Sequence, residues 1–449
     1  MNRAEAVREN TQASRPPSRP TRQLPPVAAE VDAALVEIDA RLDWLLALTP
    51  LATDALWQDF QASGWTRVAA LRYSEPALDL TAMRRQLRAL PIEDIESPLL
   101  ASVLSEKERE LELMIELVRL RGTEGFIGAS IELFGGVEAE LLATARKILE
   151  SVGEGEALVA DVGVDEVVAA ARAEVAWYCR QAPDFDVEIV VDADIGSLMM
   201  VSHGVLYLDA RLRLPRARLQ PLLQHEIGTH VLTRYNGLRQ PLRQLSVGLA
   251  HYDPLQEGLG VLAEYLSGYL PGERLRVLAA RVVAADLAIH GEEIPGIFAC
   301  LHEDHGLPTD AAFDIAVRAL RGGGLTKDAV YLRGLVELLA DLRGGGDFAL
   351  LFAGKFALKH RVVLEQLLEA GWARAPALLP RYLQEQGPVA HCLDLDVASL
   401  HHSHPDANAT AAPPAQPGRS SPASDGGSDR SAAADTTTNN NTNNKEPRR

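Results

Sequence analysis

Apolar residues recur every three or four positions over Val31 to Leu48, Ala101 to Leu120 and Glu138 to Val152, the period of an amphipathic helix with one face turned to a core. From Val27 to about Arg180 the chain therefore reads as helical. The texture changes at Phe185. Val187 to Val191 and Leu198 to Val201 are β-branched and apolar, and Val205 to Leu208 follow the turn-forming Ser202-His203-Gly204. These runs predict a small antiparallel sheet with at least one hairpin. After Pro215 the helical spacing returns, broken by glycines at Gly322 to Gly324 and Gly344 to Gly346. The pattern predicts an α+β fold, mainly helical, with the small sheet just before a helix. On that helix Leu219, Leu222, Leu223, Ile227 and Val231 share a face, and Gly237 stops it.

Composition narrows the folded part. Residues 1–27 are rich in proline, and residues 401–449 turn to Ser, Ala, Pro, Thr and Asn, so both ends read as disordered tails. Between them, residues 28–400 are expected to form one domain, with a helical part over 28–183 and a second part over 184–400. His401, His402 and His404 open the tail and promise adventitious metal affinity rather than a site. The formal charge of -18 repels nucleic acid and anionic membrane, so neither is an expected partner. Glu106, Glu108, Glu110, Glu112 and Glu116 are read as a solvated helix face. The 3 cysteines, Cys179, Cys300 and Cys392, are too few and too scattered for a disulfide framework or a thiolate zinc site. With no apolar leader at the N-terminus, the protein reads as cytoplasmic.

The chemistry concentrates at His225-Glu226-Ile227-Gly228-Thr229-His230 and Gln256-Glu257-Gly258-Leu259-Gly260. Two histidines around a glutamate, with a second glutamate on a later helix, supply three ligands and a general base for one Zn2+. Histidines four apart lie about 40° apart around a helix, whereas five apart they diverge by about 140°. A one-residue π-type bulge would realign them, and Gly228 lies inside the interval. Asp253, Pro254 and Gln256 form a capping-box pattern that starts a helix just before Glu257. Glu264, two turns further along, is placed to hydrogen-bond a ligand histidine. The same ligands also accept cobalt or manganese. Val205 to Leu208 offers an edge for an extended peptide, and His203 sits in the hairpin turn.

The Glu-Gly-Leu-Gly run resembles the segment in which gluzin peptidases carry their glutamate ligand, with the glycine letting two helices approach. The two motifs, with Tyr235-Asn236-Gly237, Gln240-Pro241-Leu242 and Arg321-Gly322-Gly323-Gly324-Leu325-Thr326-Lys327-Asp328-Ala329-Val330-Tyr331, resemble one family over about Ala40 to Leu395. Its bacterial members are the flavohaemoglobin expression-modulating QEGLA-motif proteins, and its animal members include the microtubule-associated tyrosine carboxypeptidases. The resemblance implies a gluzin-like zinc metallopeptidase with His225, His230 and Glu257 as ligands and Glu226 as base. In animals the substrate is the C-terminal tyrosine of α-tubulin. Gly260 stands where the family has alanine, a change expected to leave the metal untouched.

A carboxypeptidase needs a cation for the free carboxylate of its peptide or protein substrate. Arg318, Arg321 and Lys327 are candidates, with Tyr331 as oxyanion stabiliser or pocket cap. The glycines at 322–324 lack the spacing of a phosphate loop, and Thr326 is expected to cap a helix beginning at Lys327. The reading from a different class is a non-catalytic zinc-binding regulator that binds a partner. The intact Glu226 favours the enzyme.

Overall fold

The computed structural model describes residues 21–403 apart from 43, 52, 74–78, 154, 156, 194, 196, 321–324 and 385–392. The chain divides into two units, residues 1–408 and 409–449, and every described residue belongs to the first. The expected N-terminal tail up to residue 20, and the C-terminal tail from residue 404 with His404, lie outside the described residues. His401 and His402 lie within them. His402 stacks on Tyr265, and its Nδ1 accepts the Leu270 N–H at 3.0 Å.

The helical N-terminal part contains α1 (Pro26–Arg41), α2 (Thr53–Ala62), α3 (Leu80–Arg88), α4 (Pro98–Leu120), α5 (Gly125–Phe134), α6 (Ala139–Ser151) and α7 (Val164–Cys179). Each buries one stripe: on α1 this is Ala28, Val31, Leu35 and Ile38, spaced three and four apart. Ser97 caps α4, and Pro98 occupies its first turn. The acidic face of α4 is not wholly solvated, because Glu110 is buried. There it accepts from Lys107 at 2.8 Å and from the His251 N–H at 2.6 Å. Asp32, from α1, reaches across to accept the Arg243 and Gln244 N–H groups at 2.8 and 3.0 Å. It thereby satisfies orphan donors at the start of the short helix Gln244–Val247. Burial raises its carboxyl to about 6 against those backbone bonds.

Two small sheets follow. β1 (Val162–Gly163) pairs antiparallel with β5 (Arg213–Leu214), and β2 (Ile189–Asp192), β3 (Met199–Ser202) and β4 (Val205–Asp209) form a three-stranded sheet. Its order is β2-β4-β3. β4 runs antiparallel to β3 through the hairpin but parallel to β2. The sheet is therefore mixed, not purely antiparallel, because the segment after β2 skips a strand position that β4 then fills. This also corrects the expected edge: β4 is central, with both flanks paired, and β3 and β2 are the edges. The hairpin turn holds His203 at φ 49 and Gly204 at φ 88, both positive as a tight two-residue turn requires.

Helix α8 (Arg216–His225) runs on through a π-helical stretch, Glu226–Val231, into α9 (Leu232–Gly237). α10 (Asp253–Leu266) lies at the centre, burying Leu255, Leu259, Val261, Leu262 and Ala263. α13 (Val330–Arg343), α8 and the π-helical stretch pack against it, while α11 (Gly272–Ile289) packs against α12 (Thr309–Leu320). Gly258 does admit a close helix, but its partner is α13. A Cβ at Gly258 would lie 2.5 Å from the Gly334 carbonyl carbon, and one at Gly334 would lie 1.7 Å from the Pro254 oxygen. The capping-box expectation fails at α10. Asp253 is already helical and its carboxylate pairs with Lys327 at 2.9 Å. Thr326 also caps nothing: its hydroxyl bonds to Ser130, and the helix begins at Val330.

Candidate metal centre

His225 closes α8 and His230 lies in the π-helical stretch. With hydrogen bonds running to the fifth residue, position i+5 stands over position i, so the divergence of an α-helix disappears. The two rings face each other with centroids 5.1 Å apart. Gly228 is tied to this geometry, since a Cβ there would lie 2.6 Å from Gln224 Oε1. Gln224 is itself held by Glu174 at 2.7 Å.

Glu257, one turn into α10, meets both rings. Its Oε2 lies 3.8 Å from His225 Nε2 and 4.0 Å from His230 Nε2. One ligand atom from each of the three residues lies within 4.8 Å of the others. Two ligands about 2.1 Å from one zinc ion are roughly 3.4 Å apart at the tetrahedral angle. The two glutamate distances exceed this by only about half an ångström, and two imidazoles with a carboxylate are a donor set that suits zinc.

The opposite ring nitrogens are oriented from behind. His225 Nδ1 lies 2.9 Å from Glu264 Oε1, and the buried Glu264 is held by Arg218 at 2.8 Å and Arg274 at 3.6 Å. His230 Nδ1 is 3.5 Å from Gln256 Oε1, which also accepts the Thr233 hydroxyl at 2.8 Å. With Nδ1 donating to Glu264, His225 Nε2 faces Glu257, and loss of its proton would free a lone pair for a metal.

Charge is unevenly shared. Burial opposes protonation of His225, but Glu257 and Glu264 outweigh it and raise the imidazole to about 10. Burial lowers His230 to about 4, with the charges of His225 and Lys355 acting in the same direction. Glu257 is drawn down to about 2 against its burial, by His225 and His230. Glu226, buried beside them, is raised to about 7 by desolvation and by the neighbouring carboxylates of Glu257 and Glu264. A carboxyl poised near neutrality suits proton transfer.

The other expected site residues divide. Lys327 is buried and paired with Asp253. Arg318 is clamped by Asp328 through two bonds of 3.0 and 2.8 Å. Arg321 lies outside the described residues. Tyr331 stands near enough to Glu257 to feel its charge, and burial raises its hydroxyl. Its ring is 5.2 Å from the guanidinium carbon of Arg281. Gly260 lies directly against the ligand histidine, since a Cβ there would sit 2.6 Å from His225 Nε2 and Cε1. In this chain the glycine makes room for the histidine ring. Sequence reasoning missed the supporting positions of Gln256, Arg218 and Arg274. Only Gln256 carried a signal, as a polar residue within the motif.

The family model described as "MATCAP: Microtubule-associated tyrosine carboxypeptidase" matches residues 58–399. Microtubule-associated tyrosine carboxypeptidase 1 of Mus musculus is 31% identical over 206 residues, covering 42% of this chain and 42% of that protein. The Homo sapiens protein of the same name is 31% identical over 206 residues with the same coverage. The match thus spans about two fifths of the length of these curated relatives. The chain belongs to the microtubule-associated tyrosine carboxypeptidase family. Among the described residues no helix is long and apolar enough to cross a membrane.

Proposed function

We propose that the protein is a zinc-dependent metallopeptidase that removes residues from the C-termini of peptides or proteins, with a gluzin-like ligand arrangement in the QEGLA-motif style and a cytoplasmic place of work. The observation that carries this reading is the meeting of His225, His230 and Glu257 around one point, with Glu226 on the same helical stretch.

In this reading His225 Nε2, His230 Nε2 and a Glu257 oxygen hold the ion. Zinc so held supplies Lewis acidity and makes water nucleophilic near neutral pH. Glu226 accepts the proton of the attacking water and returns it to the leaving amine. Glu264 keeps His225 in the tautomer that presents Nε2, and Gln256 does the corresponding work for His230. Tyr331 is assigned to the developing oxyanion or the pocket wall.

The test is a library of peptides with varied C-termini, incubated with zinc-loaded protein and read by mass spectrometry. Loss of single C-terminal residues, abolished in Glu226→Gln with zinc still bound, is the expected result. Zinc binding without any cleavage would overturn the peptidase and leave a metal-binding regulator.

A further inference from the structure

The ionised Glu264 only accepts hydrogen bonds, so His225, 2.9 Å away, must present a proton to it on Nδ1. His230 has a less decided neighbour. The partner of its Nδ1, 3.5 Å away, is the Gln256 amide, which accepts at Oε1 and donates at Nε2 with nearly the same shape at either end. Whichever end faces the ring sets its tautomer. With Oε1 there, the imidazole carries its proton on Nδ1 and keeps Nε2 open to a metal; with the amide nitrogen there, the proton moves to the ring's own Nε2, on the side of Glu257. A ring in the second arrangement is no ligand.

The structure has the first orientation, and Gln256 itself does not gain by it. Its Oε1 faces His230 and Thr233, while its Nε2 is buried without a hydrogen-bond partner. A turned amide would give that nitrogen two acceptors, the Thr233 hydroxyl and His230 Nδ1. Something therefore holds the oxygen in place. The group positioned to do so is the Thr233 hydroxyl, wholly buried one turn beyond Thr229 and 2.8 Å from Gln256 Oε1. It carries one proton for three oxygens, the others being the carbonyls of Thr229 at 2.8 Å and His230 at 3.2 Å. The Thr229 carbonyl already accepts the Leu232 N–H, which leaves the proton for the amide. Donated there, it demands an oxygen.

We propose that Thr233 is a positioning residue for the metal: its hydroxyl fixes the Gln256 amide with Oε1 towards His230 and so keeps that histidine in the tautomer that offers Nε2. This rests on the metal centre of the reading above and not on the cleavage step. The unsatisfied amide nitrogen is then explained, because the contacts that would satisfy it would disable the ligand.

The test uses the full chain as wild type, Thr233→Val, which keeps the shape without the hydroxyl, and Thr233→Ser, which keeps the hydroxyl. Thr233→Ala gives the same comparison should the valine variant not fold. In metal-free protein labelled at histidine with a nitrogen isotope, at alkaline pH, the ring nitrogen shifts of His230 show which nitrogen carries the proton, with His230→Gln identifying the signals. Wild type and Thr233→Ser should carry it on Nδ1, and Thr233→Val mainly on Nε2. Zinc affinity by chelator competition should fall about 10- to 100-fold in Thr233→Val and stay within about threefold in Thr233→Ser. Gln256→Glu supplies the control, since a carboxylate accepts at both ends: adding Thr233→Val to it should change zinc affinity by no more than about twofold. Loss of packing alone would weaken zinc binding equally in both backgrounds, and that result overturns the proposal. So does a proton that stays on Nδ1 in Thr233→Val, or one that sits on Nε2 in the wild type. If no form binds zinc, the metal reading falls, and the tautomers still decide the role of the hydroxyl.

Discussion

Adding one methyl group at Gly334 should damage both the fold and the centre. On α13 this residue faces α10, and the new Cβ would lie 1.7 Å from the carbonyl oxygen of Pro254. A carbon and an oxygen in ordinary contact are about 3.3 Å apart, so the helices would have to part by roughly 1.5 Å. The obstacle is backbone, which has no rotamer through which to escape. Alanine is favoured over glycine in a helix by about 1 kcal/mol. Overpacking a rigid contact costs about 1–3 kcal/mol when side chains can adjust, and more here, so a net loss of about 3 kcal/mol is expected. Glu257 and Gln256 lie three and two residues from Pro254, and zinc affinity should fall with stability. Gly128, exposed on α5, provides the control, since a Cβ added there would meet nothing within 4 Å. Gly128→Ala should be neutral or stabilising by up to about 1 kcal/mol. Urea unfolding of both variants, with zinc titration of each, measures the pair. If Gly334→Ala unfolds at the wild-type midpoint or above, the reasoning from helix contact is wrong.

Glu226→Gln should lower kcat by about 10²- to 10⁴-fold with zinc content unchanged by atomic absorption; an active variant would remove this glutamate from the chemistry. Gly260→Ala should weaken zinc binding at least tenfold, since its methyl would press on His225, and unchanged affinity in a chelator competition would refute the contact argument. Glu264→Ala should cost about 10- to 100-fold in zinc affinity, and it would leave Arg218 and Arg274 without their shared carboxylate; an affinity within twofold of wild type would count against the orienting role. The sign of the pH dependence follows from His225. Its pKa is raised to about 10 in the metal-free protein, so at neutral pH the ligand carries a proton that zinc must displace. Affinity should therefore rise with pH by about tenfold per unit towards that value, with about one proton released per zinc. Calorimetry in buffers of different ionisation enthalpy reads the proton count, and a count of zero would contradict the assignment.

Local spacing carried much of the site. The five-residue interval between the histidines, with Gly228 inside it, required a departure from α-helical geometry, and the helix has one at Glu226–Val231. The helix bearing Glu257 was legible from Pro254 onward. Partnerships were less so. Lys327 and Arg318 looked available because their partners, Asp253 and Asp328, are defined by packing rather than by pattern. Nothing in periodicity gives strand order, which is why β4 read as an edge and is central. Arg218 reaches Glu264 only through the tertiary fold, so no window of local pattern announces the pair.

The bonds from Asp32 to residues 243 and 244, and from Glu110 to the amide of residue 251, bear on how this polypeptide can be shortened. A fragment beginning after α7 would keep every proposed ligand and still lose both acceptors. The strand of chain between α9 and α10 would then have three amide donors open to solvent or to one another, at the joint that sets the spacing between the histidines and Glu257. Attempts to isolate a minimal fragment bearing the candidate centre should accordingly retain α1 and α4, which brace the segment between its two halves.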